Sequence, residues 1–580
     1  MNDSKDREIL IGLIVGGIAN EFSKSVIKGI VNAIPKNKNI RLAVLPGELM
    51  LENFQSKQIS QYNYMCNSVY NLGNVCRMDG IIIAMGSIGW ALNEDKTRHF
   101  LGLYSDIPTV LIASDYEDYT TVNYDNRMGI SEAVEVLIGV YGITDIGMIG
   151  GYTENIDSAR RKSIFIECLE ENGIDFRDSL YEASDMSENS EEAAERLLDN
   201  NPQMKAIFCV NDATAVGLYR VLKKRNLVPG KDIMVFGFDN TRMAAEMSPP
   251  LSSIGASSIT LGQKAFEMLL DKIEGEKVTS QFIPTSLYGR ESLRYDKYEY
   301  SLNDLSLINE TIINRMFDDC FYRYNTEHIS SENINLKRLF YEILNRMFKG
   351  IKRRYIGIDE FNEIGNLIDI FFRNGAMDYT DVWKFLKSVT LLQTGINKQL
   401  RGRENTFVNR LFLRMTDDAL VAVSESRARE NNENNNSRVR LRRFLIKGMN
   451  YANDKKKTYN EFINSLDIIG LDNAALYLFE KPVTKEELER LEYPDTIKLI
   501  AVVKSGNVYV IPESKQKRLM ADIFIQREIK IYNKKFVTFP LFYENTFYGL
   551  FLCELNNEIY NKGALIANEL GMIIHIINIS

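Results

Sequence analysis

The chain has 580 residues, a formal net charge of −8, 45% hydrophobic and 26% charged side chains. That length accommodates about three or four domains, and the composition is that of a globular protein with several cores. The acidic balance excludes a broadly basic nucleic-acid binder and leaves room only for a local basic surface.

The opening MNDSKDRE is polar, and the apolar run Ile9–Val15 is too short to span a bilayer and lacks the flanks of a signal peptide. No later apolar run reaches membrane-spanning length, so a cytoplasmic chain with no membrane partner is expected. The six cysteines are scattered without a CxxC pair and read as reduced, buried thiols. The three histidines, His99, His328 and His575, lie far apart outside any HExxH pattern. No metal and no cofactor are expected.

From residue 8 short apolar runs alternate with segments of helical periodicity. Ile9–Val15, Arg41–Leu45, Gly80–Ala84 and Val110–Ala113 read as strands, and Phe22–Ile34 and Tyr64–Cys76 as helices. The pattern restarts with helix Met128–Val140, strand Ile146–Ile149 and helix Ser158–Asn172. Strand Ala206–Val210, helix Ala213–Arg225, strand Ile233–Phe236 and helices Met243–Met247 and Ile259–Ile273 complete it. Such alternation predicts parallel sheets with helices on both faces, and ligands then sit beyond the carboxyl ends of the strands. Asn211–Asp212 and Asp239 are polar residues directly after apolar strands.

The stretch TVNYDNRMGISEAVEVLIGVYGITDIGMIGG (121–151) resembles the entry into the second lobe of the LacI/GalR (type I periplasmic-binding-protein) sensor family. SARRKSIFIECLEENGI (158–174), AIFCVNDATAVGLYRVLKKRNLVPGKDIMVFGFDN (206–240), PPLSSIGASSITLGQKAFEMLLDKIEGE (249–276) and GRESL (289–293) follow in the family's order and spacing. The resemblance covers residues 8–294. It implies an α/β fold of two lobes that close on a small polar ligand, sugar-like or nucleoside-like, about a hinge. The chain should then cross between lobes near 113–120, 240–251 and 280–286.

By position in the family's motifs, Arg161 and Asp239 become the guanidinium and carboxylate that grip the ligand through charge-assisted hydrogen bonds. Asn211 falls on the asparagine of the Asn-Asp pair, while Asp212 could instead cap the helix that follows. Asn20 and Phe22 fall on the first ligand turn, and Trp90, after the third strand, could stack on a ligand. Each also has a bland reading, as a salt bridge, a turn residue or plain core. The motif is altered at Glu21, Ser23, Ala113, Ser114, Ile164 and Ala256, so a rebuilt pocket is expected.

LacI/GalR repressors carry a helix-turn-helix ahead of this unit. Here the first strand begins near residue 8, and direct DNA binding is not expected. Residues 295–440 read as a helical connector or bundle, with helical spacing in Leu302–Tyr324, Leu336–Lys349, Ile358–Phe372, Val382–Leu400 and Phe407–Val423. The Asn-rich stretch 424–444 predicts a flexible joint ending in a basic cluster, Arg438, Arg440, Arg442 and Arg443. Residues 445–580 resemble a GAF-type module: helix Thr458–Asp467, strands Ala474–Phe479, Ile497–Val503 and Asn507–Val510, a hairpin over Phe536–Leu555, and a last helix near Tyr560–Ile577.

The order of parts is similar to the front end of bacterial GGDEF diguanylate cyclases, and 42–90 resembles that subgroup. No catalytic motif is present, so the chain reads as a sensor and not an enzyme. The expectation is a homodimeric, ligand-responsive regulator that passes lobe closure to the C-terminal module. The alternatives are the regulatory part of a cyclase, a transcription regulator using the 438–444 basic cluster, and a scaffold with an idle pocket.

Overall fold

The computed structural model describes residues 8–294, 309–324, 335–397, 404–452 and 463–579, save positions 37, 51–56, 90–93, 115, 117, 153–154, 354, 491–492 and 526–533. Trp90, residues 302–308 of the first expected connector helix and 458–462 of the expected Thr458–Asp467 helix lie outside the described residues. Of that last helix, a 3-10 turn at Ser465–Ile469 is described.

The first lobe is built on β1 (Ile9–Gly16), β2 (Ile40–Gly47), β3 (Gly80–Ala84), β4 (Thr109–Ile112) and β5 (Thr121–Asp125). The second uses β6 (Ile146–Gly150), β7 (Tyr181–Ala183), β8 (Ala206–Cys209), β9 (Met234–Phe238) and β10 (Ser252–Gly255). Two late strands, β11 (Gln281–Pro284) and β12 (Ser286–Tyr288), return to the first and second sheets respectively. The lobe-one order is β11-β5-β4-β3-β1-β2, and the lobe-two order is β12-β10-β9-β8-β6-β7. Pairing is parallel except between β10 and β12. Strand β1 is buried nearly throughout, as a parallel strand covered on both faces must be.

Helices Glu21–Ala33 and Ser258–Ile273 cross beneath the first sheet at close range. A Cβ on Gly29 would lie 2.1 Å from the Ile259 carbonyl oxygen, and one on Gly262 2.3 Å from that of Val26. Only glycine lets the two backbones approach this closely.

The chain crosses between lobes after β5, near 125–126, between β10 and helix Ser258–Ile273, near 255–258, and between β11 and β12, at Thr285. The first two crossings come later than the sequence predicts. The short strands β5 and β10 each prolong their sheet before the chain leaves it, and neither carries a long apolar run.

Residues 309–452 contribute helices Glu310–Cys320, Leu336–Arg353, Ile358–Arg373, Val382–Asn397 and Glu404–Ala452 around a phenylalanine-rich core. The last helix has 49 residues, about 73 Å at 1.5 Å per residue. The predicted flexible joint at 424–444 is therefore helical. Asparagine costs a helix well under 1 kcal/mol per residue, and both arms of this helix are docked. Leu411, Phe412 and Met415 sit in the bundle core, and Leu441 and Phe444 in the core shared by the first lobe and the C-terminal unit.

The C-terminal unit is an antiparallel sheet of β13 (Asn473–Thr484), β14 (Thr496–Lys504), β15 (Asn507–Val510), β16 (Lys517–Leu519), β17 (Lys535–Tyr543) and β18 (Thr546–Glu554), followed by helix Asn557–Ile579. Its order is β17-β18-β13-β14-β15, with β16 also on β14. Strand β17 pairs in parallel with β2, Val537 opposite Val44, so the two sheets form a single sheet of 12 strands. Cores on both faces of that sheet run through both units. The junction is reinforced where Arg41 Nη1 donates to the Phe524 carbonyl at 3.0 Å and the Tyr493 hydroxyl donates to the Ser68 carbonyl at 2.9 Å.

Val44 and Val537 are both fully buried on this seam. Each Val→Ala change is expected to cost about 2 kcal/mol. In a denaturant double-mutant cycle on the full chain the pair should couple by at least about 0.5 kcal/mol; strict additivity would mean that the seam does not hold the two units together.

Candidate functional site

Four helices of the clamp point their N-termini at one cleft: Glu21–Ala33, Ile156–Glu171, Asp212–Lys224 and Ser258–Ile273. Each is capped by the chain itself. Asn20 Oδ1 accepts from Ser23 N at 2.6 Å, Asn155 Oδ1 from Ser158 N at 2.7 Å, Asn211 Oδ1 from Thr214 N at 2.9 Å, and Ser257 Oγ from Thr260 N at 3.3 Å. A side-chain oxygen at this position satisfies one orphan amide of the first turn. The cap of the third helix is Asn211, and Asp212 is its first residue, so the reading of Asp212 as the cap is corrected.

The cleft between the lobes holds a cavity of about 840 Å³, at the upper end of the size range of small-molecule sites. Asn20, Phe22, Arg161, Asn211 and Asp239 all line it. Asn20 and Asn211 also serve the fold: Asn20 Nδ2 donates to the Gly16 carbonyl at 2.6 Å, and Asn211 Nδ2 to that of Met186 at 2.9 Å.

Arg161 is the organising cation of the wall. Its side chain is 8% exposed. Nη1 donates to the Val210 carbonyl at 2.8 Å, and Nη2 meets Asp239 Oδ1 at 3.3 Å. The guanidinium lies flat on Phe238, 3.6 Å from the ring centroid. It thereby ties together the ends of β8 and β9. Its Nε is buried with no hydrogen-bond partner, as are Asn123 Nδ2 and Asn126 Oδ1, and all three residues line the cavity. Buried polar atoms left unmatched are costly, so in this arrangement the packing behind the wall is incompletely satisfied at three points.

Asp239 is held at φ 101°, a conformation that few side chains adopt. Although 41% of its side chain faces open cleft space, burial raises its pKa, the neighbouring Arg161 opposes that, and the charge of Asp157 adds to it. Burial raises Asp157 as well, with Arg161 opposing, and raises Glu48.

Several lining residues carried no clear signal in the sequence. Asn123 lies within the unrecognised β5, and Asn126 directly follows it. Tyr124 bonds Ser258 Oγ through its hydroxyl at 2.8 Å. Tyr322 and Arg323 arrive from the helical segment. The altered positions are accounted for as follows. Glu21 reaches across the cleft to Arg242, whose backbone N–H donates to it at 3.2 Å. Ser23 is buried and donates to the Gly16 carbonyl at 2.8 Å. Ala113 and Ala256 line the cavity without filling it, Ser114 is buried, and Ile164 packs against the second lobe's core.

A second cavity, of about 540 Å³, lies where helix Arg242–Glu246 meets the bundle. It is lined by charges that already pair, such as Arg427 with Glu246 at 3.0 Å. Among the described residues no group of three His, Cys, Asp or Glu side chains is arranged to hold a metal, and no helix is long and apolar enough to cross a membrane.

A family model for the periplasmic binding protein-like domain matches residues 140–293. Over those residues the chain is periplasmic-binding-protein-like. Catabolite control protein A of Priestia megaterium is 27% identical over 277 residues, 47% of this chain and 77% of that protein. The HTH-type transcriptional repressor PurR of Serratia proteamaculans (strain 568) is 30% identical over 214 residues, 36% of this chain and 60% of that protein. The chain thus spans about three-fifths of the length of the PurR relatives. The solved lac repressor dimer bound to operator and the anti-inducer ONPF is 20% identical at a TM-score of 0.41, covering 50% of this chain and 94% of that one. PurR is by name a transcriptional repressor, and the expectation that this chain keeps off DNA finds no support in that similarity.

Asp212 supplies a pH test of the second lobe. It is fully buried and accepts from Thr241 N at 2.8 Å, Thr241 Oγ1 at 2.9 Å and Ser253 Oγ at 2.6 Å. Burial, and next the charge of Asp239, push its pKa up to about 7, against those hydrogen bonds. The unfolded value is about 3.9. Between the two the folded chain holds the extra proton, so this group's contribution to stability is full below about pH 4 and falls as pH rises through the window. Asp212→Asn should flatten the dependence of Tm on pH across that range, measured by calorimetry; an unchanged slope would show that Asp212 ionises normally.

Proposed function

We propose that this chain is a ligand-gated regulator in which a small, polar, hydroxyl-bearing molecule binds between the lobes. The observation that carries the reading is one interlobe cavity of about 840 Å³ that gathers Arg161, Asp239, Asn20, Asn211, Asn123 and Asn126 from both lobes. Four carboxyl side chains, Glu21, Glu48, Asp157 and Asp239, line it against two arginines, Arg161 and Arg323. That balance favours a neutral or cationic ligand over a phosphorylated one.

The attachments of the other parts suggest how closure is transmitted. The helical segment is fastened to lobe two, where Arg290 meets Asp381 at 3.5 Å and Arg427 meets Glu246. The C-terminal unit, which we read as GAF-like from its strand order and closing helix, is fastened to lobe one through β2 and β17. The 49-residue helix joins the two. A ligand that favours the closed clamp by its differential affinity would therefore load both ends of this helix and act as a lever on the C-terminal unit.

A DNA-directed output is the second reading, favoured by the regulators to which the chain is similar. Arg438, Arg442 and Arg443 lie exposed along the long helix, whereas Arg440 is engaged with Glu558 at 2.6 Å. DNA binding that weakens with salt and is lost on reversing those three charges would support it.

For the leading reading, calorimetry of the full chain against mono- and disaccharides, nucleosides and amino acids should find a binder. Arg161→Ala and Asp239→Ala should each reduce its affinity by about 10-fold or more, the worth of a charge-assisted hydrogen bond. Wild-type affinity in both variants would remove the cleft as the site.

A further inference from the structure

The clamp of a two-lobed receptor has two walls, but here the cavity has a third. Tyr322 and Arg323, in the turn after helix Glu310–Cys320, line the same cavity as Arg161 and Asp239. Their placement is held by a buried network around Arg290, whose side chain is 2% exposed. Arg290 Nη2 donates to Asn240 Oδ1 at 2.7 Å, Nη1 donates to the Leu251 carbonyl at 2.8 Å, and Nε meets Asp381 Oδ2 at 3.5 Å. The Tyr322 hydroxyl completes it, 3.4 Å from Arg290 Nη2 and 3.3 Å from Asp381 Oδ2.

Three consequences follow. A buried guanidinium stripped of its carboxylate is severely penalised, so lobe two requires the helical segment in this seat. The segment's turn is therefore part of the site before any ligand arrives. Asn240, which Arg290 holds, directly follows Asp239, so a ligand on Asp239 pulls on the turn that anchors the bundle. Finally, the Tyr322 ring stands 5.2 Å from that of Tyr288 at 48°, giving the mouth an aromatic corner. The Arg323 guanidinium lies 5.1 Å from the Tyr322 ring, and its backbone N–H donates to the Tyr379 carbonyl at 3.2 Å.

We propose that Tyr322 and Arg323 are specificity-determining residues of the cleft: the ring of Tyr322 covers a flat face of the ligand, and Arg323 donates to a hydrogen-bond acceptor at the end opposite the group gripped by Arg161. The helical segment thus reads the occupant by touching it, in addition to following lobe closure. This rests on the cleft being the ligand site, and the experiment separates the two claims.

Full-length protein is screened by thermal shift with cellobiose, glucose, adenosine and inosine, and a hit is titrated by calorimetry. Arg323→Ala is expected to weaken that binding by about tenfold, with its unliganded Tm measured beside the affinity. Tyr322→Leu should weaken it similarly, with its unliganded Tm reported beside the affinity to separate lost contact from lost docking. Binding that falls in Arg161→Ala but stays within about twofold of wild type in both Arg323→Ala and Tyr322→Leu overturns the third wall alone. Binding that survives Arg161→Ala, or the absence of any hit among the four probes, overturns the cleft reading and this inference together.

Discussion

The parallel pairing of β2 with β17 is the contact on which the arrangement of the whole chain depends. An edge strand of a parallel sheet offers a row of unsatisfied amides and carbonyls, and something must cover it. Here the cover is a strand almost 500 residues later in the sequence. Because Val44 and Val537 stand in register, apolar side chains on both faces fall into line, and each core extends from the clamp into the C-terminal unit. The unit is thereby made an extension of lobe one. The helical bundle, by contrast, takes its seat from the buried Arg290–Asp381 pair on lobe two. The two C-terminal parts thus sit on different lobes, and the long helix runs from one part to the other.

The chemistry of the cleft follows from the same economy. Parallel α/β lobes aim helix N-termini at the carboxyl edge of their sheets, which leaves four positive dipole ends around one space. The chain caps each with its own asparagine or serine and then adds carboxylates, whose pKa values burial raises and, for Asp157 and Asp239, Arg161 opposes. Arg161 is fixed by a carbonyl, a carboxylate and an aromatic face, and its buried Nε is left without a partner.

Much of this was legible in the residues. Continuous apolar runs such as ILIGLIV and GIIIA identify strands buried on both faces, and the polar residues directly behind them mark the cleft. Arg161, Asp239, Asn211, Asn20 and Phe22 were found by that rule together with the family resemblance, and all face one cavity. Strands β5 and β10 were not legible, since five or fewer residues with polar members carry too little periodicity, and the crossings were placed too early as a result. The asparagine-rich stretch at 431–436 read as a break because local propensity is all that a sequence shows there; docking at both ends overrides it.

The sequence by itself determined the alternation of strands and helices, the two lobes and most of the residues that face between them, because burial on both faces and polar strand ends leave a local pattern. Only the tertiary structure decided which distant parts fasten to which lobe. The β2–β17 seam, the Arg290–Asp381 pair and the entry of Tyr322 and Arg323 into the cleft join residues dozens to hundreds of positions apart. Their energies come from shared burial and paired charge, and neither is expressed as a pattern along the chain.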